Sequence, residues 1–332
     1  MNYKLCDVAG ISVGHAVATR RLTGCTVILT GAGGAVAAVD VRGAAPGTRE
    51  TELLAAENLV ERVHAIVLTG GSAFGLDAAS GVMRWLDEKG IGLDTGYGKV
   101  PIVPSAVLFD LPVVREGDDS NVRPSAELGH AACEGASSLD TSQGNVGAGA
   151  GATVGKLFGI DRAMKGGLGQ ASVQVGPWVV SALVACNAVG DVIDLATGRV
   201  IAGVRQAAQS NVLGDTQAML LRGEKLQRVL PGTNTTIGVV ATNANLSKAQ
   251  LKRLAMSAHD GLARAVRPAH TPFDGDTLFA LATSEIDSAP DLMLLNVMAA
   301  EATANAIVNA VRYAAGVRTL SGWLPAMTDL TP

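Results

Sequence analysis

A hydroxyl residue stands where a flexible turn becomes a buried strand in Pro231-Gly232-Thr233-Asn234-Thr235-Thr236-Ile237-Gly238-Val239-Val240. Pro231 and Gly232 mark a loop, and the β-branched run from Thr235 to Val240 predicts a strand ending near Asn243. Scission of the Asn234–Thr235 bond would put a hydroxyl and a primary amine on the first residue of a rigid element. An α-amine, with an ordinary pKa of about 7.7–8.0, is then a general base beside the hydroxyl it activates, and no histidine is required. Threonine also favours strands for packing reasons alone. Thr233 and Thr236 share the junction, so the residues by themselves do not choose among the three.

Four further groups have side chains suited to assist such a nucleophile. Asp274-Gly275-Asp276 precedes an expected strand, and two like charges one residue apart tune each other's protonation when a cation holds one of them. The same residues also suit an ordinary turn, and the spacing does not fit a calcium loop. Lys156 is the only charged residue between Gly144 and Gly159, a lone cation leaving an apolar, backbone-dense tract, where burial would demand a carboxylate such as Asp274 or Asp276. Asn187 ends an apolar strand and could aim its amide at a developing oxyanion, although Ala188-Val189-Gly190-Asp191 equally suits a turn asparagine.

Two glycine-rich segments offer competing chemistry. Leu68-Thr69-Gly70-Gly71-Ser72-Ala73-Phe74-Gly75 joins a strand to a helix, as a nucleophile elbow does, but Phe74 occupies the position of the second required glycine. The tract before Lys156 fails as a phosphate-binding Walker loop, because Ala150 replaces its first glycine and Leu157 its magnesium-binding hydroxyl. The five histidines show no zinc spacing and read as structural.

The elements that must position these groups are mixed. Strands are expected at 26–29, 35–41, 65–68 and 102–108, with helical spacing at 51–63 and around 126–136. Strands at 171–175 and 178–186 frame Gly176 and Pro177 as a hairpin. Residues 198–231 turn polar and read as a mobile connection. Ser247-Lys248-Ala249-Gln250 is a capping box opening a helix that runs to Pro268, a strand follows at 277–283, and 290–316 is an Ala-rich helix opened by proline and closed by glycine. Glu301, Asn305 and Asn309 give that last helix a polar stripe, which suits a packed helix better than a membrane span.

With 332 residues and 48% hydrophobic content the chain can bury a large core in one or two domains. A net charge of −4 and only three Trp, three Tyr and five Phe argue against a nucleic-acid surface and point to small-molecule partners. Forty glycines separated by long apolar runs imply close backbone packing rather than disorder. Cys6, Cys25, Cys133 and Cys186 form no CxxC pair, which suits reduced thiols. The start lacks the apolar core of a signal peptide, and no long uncharged segment suggests a span, so a cytoplasmic location is expected.

Taken together the segments resemble the L-aminopeptidase/D-esterase family, which includes β-peptidyl aminopeptidases and endo-type nylon-oligomer hydrolases. The resemblance covers nearly the whole chain. It rests on Asp7-Val8-Ala9-Gly10-Ile11-Ser12-Val13-Gly14-His15, Thr23-Gly24-Cys25-Thr26-Val27, Arg42-Gly43-Ala44-Ala45-Pro46-Gly47-Thr48-Arg49-Glu50-Thr51, the segment 70–79, the tract 147–157, Asn234-Thr235-Thr236, and Phe273-Asp274-Gly275-Asp276-Thr277.

What the resemblance implies is an α+β fold, a four-layer αββα sandwich, in one domain made as an inactive precursor. Cleavage at the matching bond, Asn234–Thr235, would give chains 1–234 and 235–332 that remain intertwined and assemble into homo-oligomers. It selects Thr235 as nucleophile with its freed amine as base, Asn187 as an oxyanion holder, and Lys156 with Asp274 and Asp276 as the groups that order the nucleophile and assist self-cleavage. The substrate would be a small peptide or oligoamide, and neither metal nor organic cofactor is needed. Several family members place a tyrosine in the strand that here reads Val107-Leu108-Phe109-Asp110, so Phe109 is a candidate substrate-binding position that lacks the phenolic hydroxyl. Two rival readings are a Ser72-dependent hydrolase without processing and a noncatalytic phosphate- or nucleotide-binding protein using the glycine loops.

Overall fold

Apolar residues that alternate along a strand need a partner layer on each face, and here two sheets and two helix pairs supply them. The computed structural model describes residues 4–225, 234–287 and 291–330. Its first half contains strands β1 (Ser12–Val17), β2 (Gly24–Leu29), β3 (Ala35–Val41), β4 (Thr48–Arg49), β5 (Arg62–Val63) and β6 (Ala65–Thr69), then helix α1 (Ala78–Glu88), β7 (Ser105–Val107) and α2 (Ala126–Glu134). The hairpin of β8 (Gly167–Val175) and β9 (Trp178–Asn187) follows. Then come β10 (Thr235–Ala244), α3 (Lys248–Ala265), β11 (Thr277–Ile286) and α4 (Leu292–Arg312).

One sheet has the order β1-β2-β6-β7-β4 and the other β8-β9-β10-β11-β3-β5. Leu183, Val239, Leu281, Ile28 and Leu68 fill the space between the two sheets. The opposite face of the six-stranded sheet presents Ala182, Val240 and Ala280 to Leu254, Ala258 and Ala302 of α3 and α4. The outer face of the five-stranded sheet presents Val27 and Val67 to Ala78, Val82 and Ala132 of α1 and α2. The layers therefore run helix, sheet, sheet, helix, as the resemblance implies.

The capping box holds: Ser247 accepts from the Gln250 N–H, and the Gln250 side chain accepts from the Ser247 N–H. The β8–β9 hairpin pairs Gly167 with Cys186 through to Val175 with Trp178. The polar stripe of α4 is engaged, with Asn309 donating to the Gln170 carbonyl at 2.8 Å and Glu301 pairing with Arg264 at 3.0 Å. Asp291 caps this helix through the Leu294 N–H. By length and composition α4 could cross a membrane, but it carries Glu301 and 61% of its most apolar window is buried inside the protein, as a packed helix requires. Pro290, expected to open it, and Pro231 to Thr233, expected to form the turn before β10, lie outside the described residues.

Two local readings are corrected. Residues 51–63 contain only a short 3-10 turn, Glu52–Leu54, before β5. Lys248, 7% exposed, donates to the carbonyls of Leu53, Asn58 and Val60 at 3.0–3.2 Å, so a lysine distant in sequence takes acceptors that a helix would have used internally. The polar stretch after Gly198 carries a strand, Val200–Ala202, and a helix, Thr216–Leu221. Buried Asp191 organises it by accepting from Val204 N–H at 2.7 Å and from Thr216 N–H and Oγ1 at 2.6 and 2.7 Å.

Candidate active site

Strand direction collects the candidate residues at one end of the central strands of the six-stranded sheet. β10 and β11 are parallel, with Ile237 opposite Thr277, so the residues that open both strands emerge on the same side. β9 is antiparallel to β10 and ends there, which places Asn187 in register with Thr235. Asn234 bridges to Asp274 just before the parallel ladder begins. Thr235, Asn187, Asp274 and Asp276 are thus gathered by the sheet, and all are at most 3% exposed.

The Thr235 hydroxyl donates to the carbonyl oxygen of Asn234. That same oxygen accepts the Gly275 N–H at 2.9 Å. Gly275 can approach so closely because it has no side chain: a Cβ there would lie 2.6 Å from the Ala45 carbonyl oxygen and 2.9 Å from Thr235 Oγ1. The loop after β3 fastens the aspartate turn from the other side. Arg42 and Gly43 N–H groups donate to the Asp276 carbonyl at 3.0 and 3.2 Å, and Ala45 N–H donates to that of Asp274 at 3.0 Å.

Each carboxylate has its own donors. Asp276 Oδ1 accepts the Thr236 N–H at 2.8 Å, and its Oδ2 lies 2.8 Å from His270 Nδ1. Asp274 Oδ2 accepts the Thr271 N–H at 2.9 Å and the Thr271 hydroxyl at 2.5 Å. Burial, with the neighbouring Asp276 charge adding to it, pushes the Asp274 carboxyl up to about 6.

Lys156 reaches the site from the glycine tract, but its partner differs from the expected carboxylate. Nζ donates to the Asn187 carbonyl at 2.9 Å and to Asn187 Oδ1 at 2.8 Å. Burial pushes the ammonium down to about 7, a fall that the Asp274 charge opposes from a distance. Thr153 N–H also donates to Asn187 Oδ1, at 3.0 Å, which fixes the amide so that Nδ2 donates to the Phe109 carbonyl at 3.1 Å. Phe109 therefore meets this cluster through its backbone. His270, read from sequence as structural, stands beside Asp276. Its only sequence signal is its position six residues before that aspartate, in the same turn.

The rival constellations find other uses. Ser72 opens a 3-10 helix with φ +57°, and among the described residues no histidine hydrogen-bonds to its hydroxyl. The glycine loop around it is already filled: the side chain of buried Asp110 accepts the Gly71 N–H at 2.8 Å and the Thr23 hydroxyl at 2.6 Å, and burial pushes its carboxyl above the usual range. A phosphate would have to displace that side chain.

A hydroxyl at the head of a central strand, set against its own preceding carbonyl in a four-layer sandwich, defines a class. The structure of the L-aminopeptidase D-Ala-esterase/amidase from Ochrobactrum anthropi, described as a variant of the Ntn hydrolase fold, matches with a TM-score of 0.72 at 21% identity, covering 98% of this chain and 91% of that one. The fold is therefore of the N-terminal-nucleophile hydrolase type. The model of peptidase family S58 matches residues 3–323, and the chain belongs to that family, the L-aminopeptidase/D-Ala esterase family. An uncharacterized aminopeptidase of Mycobacterium leprae is 42% identical, covering 98% of this chain and 96% of the relative. A 6-aminohexanoate-oligomer endohydrolase of a Kocuria species is 36% identical, covering 85% of this chain and 75% of that protein. The protein is a hydrolase acting on amide bonds.

Proposed function

We propose that this chain is a self-processing amide hydrolase that cuts its own Asn234–Thr235 bond and then uses Thr235 as an N-terminal nucleophile on peptides or oligoamides. The observation that carries the reading is the Thr235 hydroxyl bonded to the Asn234 carbonyl oxygen, which also accepts the Gly275 N–H at 2.9 Å. On this reading Oγ1 is the nucleophile, the Asn234 carbonyl carbon the electrophile and the Gly275 N–H an oxyanion donor.

In processing, Thr235 Oγ1 bonds to the Asn234 carbonyl carbon and the charge moves onto the oxygen that Gly275 holds. Collapse breaks the C–N bond, the Thr235 nitrogen takes the proton to become an amine, and Asn234 is left as an ester on Oγ1. Water opens the ester, giving chains 1–234 and 235–332. In turnover the freed amine takes the Thr235 hydroxyl proton, Oγ1 attacks a substrate amide, and the proton passes to the leaving nitrogen before water releases the acyl group. Lys156 holds Asn187 in the register that faces Thr235, Asn187 contributes an amide donor, and Asp274 and Asp276 hold the turn that carries Gly275.

Thr235 is 3% exposed in the uncut chain, so release of Asn234 is also what opens the nucleophile to substrate. Mass analysis of purified protein after denaturing electrophoresis tests the reading: two fragments are expected, the smaller beginning at Thr235. The processed enzyme should release products from a 6-aminohexanoate oligomer or from a short peptide amide. An intact chain that hydrolyses either substrate overturns the proposal.

Gly275 supplies a separate prediction. Gly275→Ala keeps the N–H but drives a methyl against Thr235 Oγ1 and the Ala45 carbonyl. Self-cleavage should slow by about 100-fold, since displacements near 1 Å from reactive geometry cost on that order. A time course of precursor loss on denaturing gels reads the effect, and wild-type kinetics would remove Gly275 from the processing step.

A further inference from the structure

We propose that His270 is a positioning residue for the Asp276 carboxylate and, through it, for the strand start that carries the nucleophile. The inference rests on the reading that Thr235 is that nucleophile. Asp276 is 2% exposed and is held from two sides: Oδ1 accepts the Thr236 N–H at 2.8 Å, while Oδ2 takes His270 Nδ1 at 2.8 Å and the His270 backbone N–H at 3.3 Å. A buried carboxylate gripped at one oxygen alone could swing about its side-chain torsions and release the N–H next to Thr235. Gripping both oxygens fixes its plane.

The ring is built for that single task. Its acceptor is a carboxylate, so Nδ1 carries a proton and donates. Among the described residues Nε2 is buried without a hydrogen-bond partner, and the side chain's hydrogen bond is with Asp276. No bond joins it to Thr235, which excludes a role as the hydroxyl's direct base in this arrangement. His259 packs edge-on against the ring with centroids 4.9 Å apart. That neighbour faces the Asp40 carbonyl through Nε2 at 2.9 Å, and burial pushes its pKa down to about 4, so it is a neutral wall at ordinary pH. The backbone of His270 is held at φ +54°, a left-handed conformation uncommon for a residue with a side chain. In that conformation Nδ1 and the backbone N–H both reach Oδ2.

The left-handed backbone also makes the test clean. Asparagine tolerates this conformation and carries an N–H donor close to the place of Nδ1, whereas glycine tolerates it and has no donor. Loss of one hydrogen bond to a charged group should slow self-cleavage and lower kcat in His270→Gly by on the order of 10- to 100-fold, with KM little changed, and His270→Asn should return both to within about threefold of wild type. Thr235→Ala is run beside them. If Thr235→Ala is inert while His270→Gly matches wild type, or while His270→Asn is as impaired as His270→Gly, the positioning role is wrong and the nucleophile assignment stands. If Thr235→Ala is processed and active, the nucleophile reading itself fails. Nitrogen-15 NMR of histidine-labelled full-length protein needs no variant to fold for its main reading: His270 should carry a proton on Nδ1, and a ring bare at Nδ1 and protonated only at Nε2 overturns the inference.

Discussion

Thr235→Ala is expected to remain one 332-residue chain and to lose at least about 10⁴-fold in amide hydrolysis, the scale on which removal of a nucleophile acts in other covalent hydrolases. Both losses come from one atom. The Oγ1 that bonds to the Asn234 carbonyl is the group that would open that peptide and later attack substrate. Thr235→Ser keeps the hydroxyl and should process, while Thr236→Ala keeps the backbone N–H that Asp276 accepts and should process as well. Denaturing electrophoresis with intact-mass measurement distinguishes the three. Equal processing in Thr235→Ala, or its loss in Thr236→Ala with Thr235 intact, would move the nucleophile elsewhere.

Lys156→Met should lower kcat by about 100-fold or more, because it removes the group that fixes the side chain of Asn187, the residue paired with Thr235, and losing one preorganised donor alone costs on this scale. Among the described residues Nζ makes both of its hydrogen bonds to Asn187, so the variant leaves that amide held at Oδ1 by Thr153. The same substitution should change how stability depends on pH. Burial lowers the lysine from 10.5 in the unfolded chain to about 7 in the folded one. Between those values the unfolded state binds the extra proton, so this group makes stability rise with pH, with the penalty full below about 7 and gone above about 10.5. Lys156→Met lacks that contribution, and the difference in slope should approach about 1.4 kcal/mol per pH unit inside the window. Urea unfolding at pH values of about 7.5 and 9, with both proteins made in the Thr235→Ala background so that each stays uncut, measures it. Parallel pH profiles would show that Lys156 is charged in the folded protein throughout.

Local physics made part of this molecule readable from its residues. The capping box at Ser247 and the β8–β9 hairpin rest on contacts between neighbouring stretches of chain, the β-branched run of β10 announces a buried strand, and all three formed where the pattern places them. The co-linear motifs carried the resemblance, and with it the sandwich and the candidate set Thr235, Asn187, Lys156, Asp274 and Asp276. The segment 51–63 shows where such reasoning stops. Its spacing suits a helix, yet Lys248, almost two hundred positions away, takes three of its carbonyls. A tertiary donor outbid the local ladder, and nothing nearby in the chain announces it.

The amino-acid sequence by itself determined which residue types were available for acyl transfer, that a hydroxyl would head a buried strand, and that the chain could build a large mixed core. Tertiary structure alone decided who meets whom. Parallel pairing of β10 with β11 brought Gly275 onto the Asn234 carbonyl, antiparallel β9 delivered Asn187 opposite Thr235, the glycine tract turned Lys156 toward Asn187 rather than a carboxylate, and the turn before β11 folded His270 back onto Asp276. The reason is physical: hydrogen-bond partners inside a core are chosen by strand direction and register, which are properties of the assembled sheet and not of any short stretch of chain.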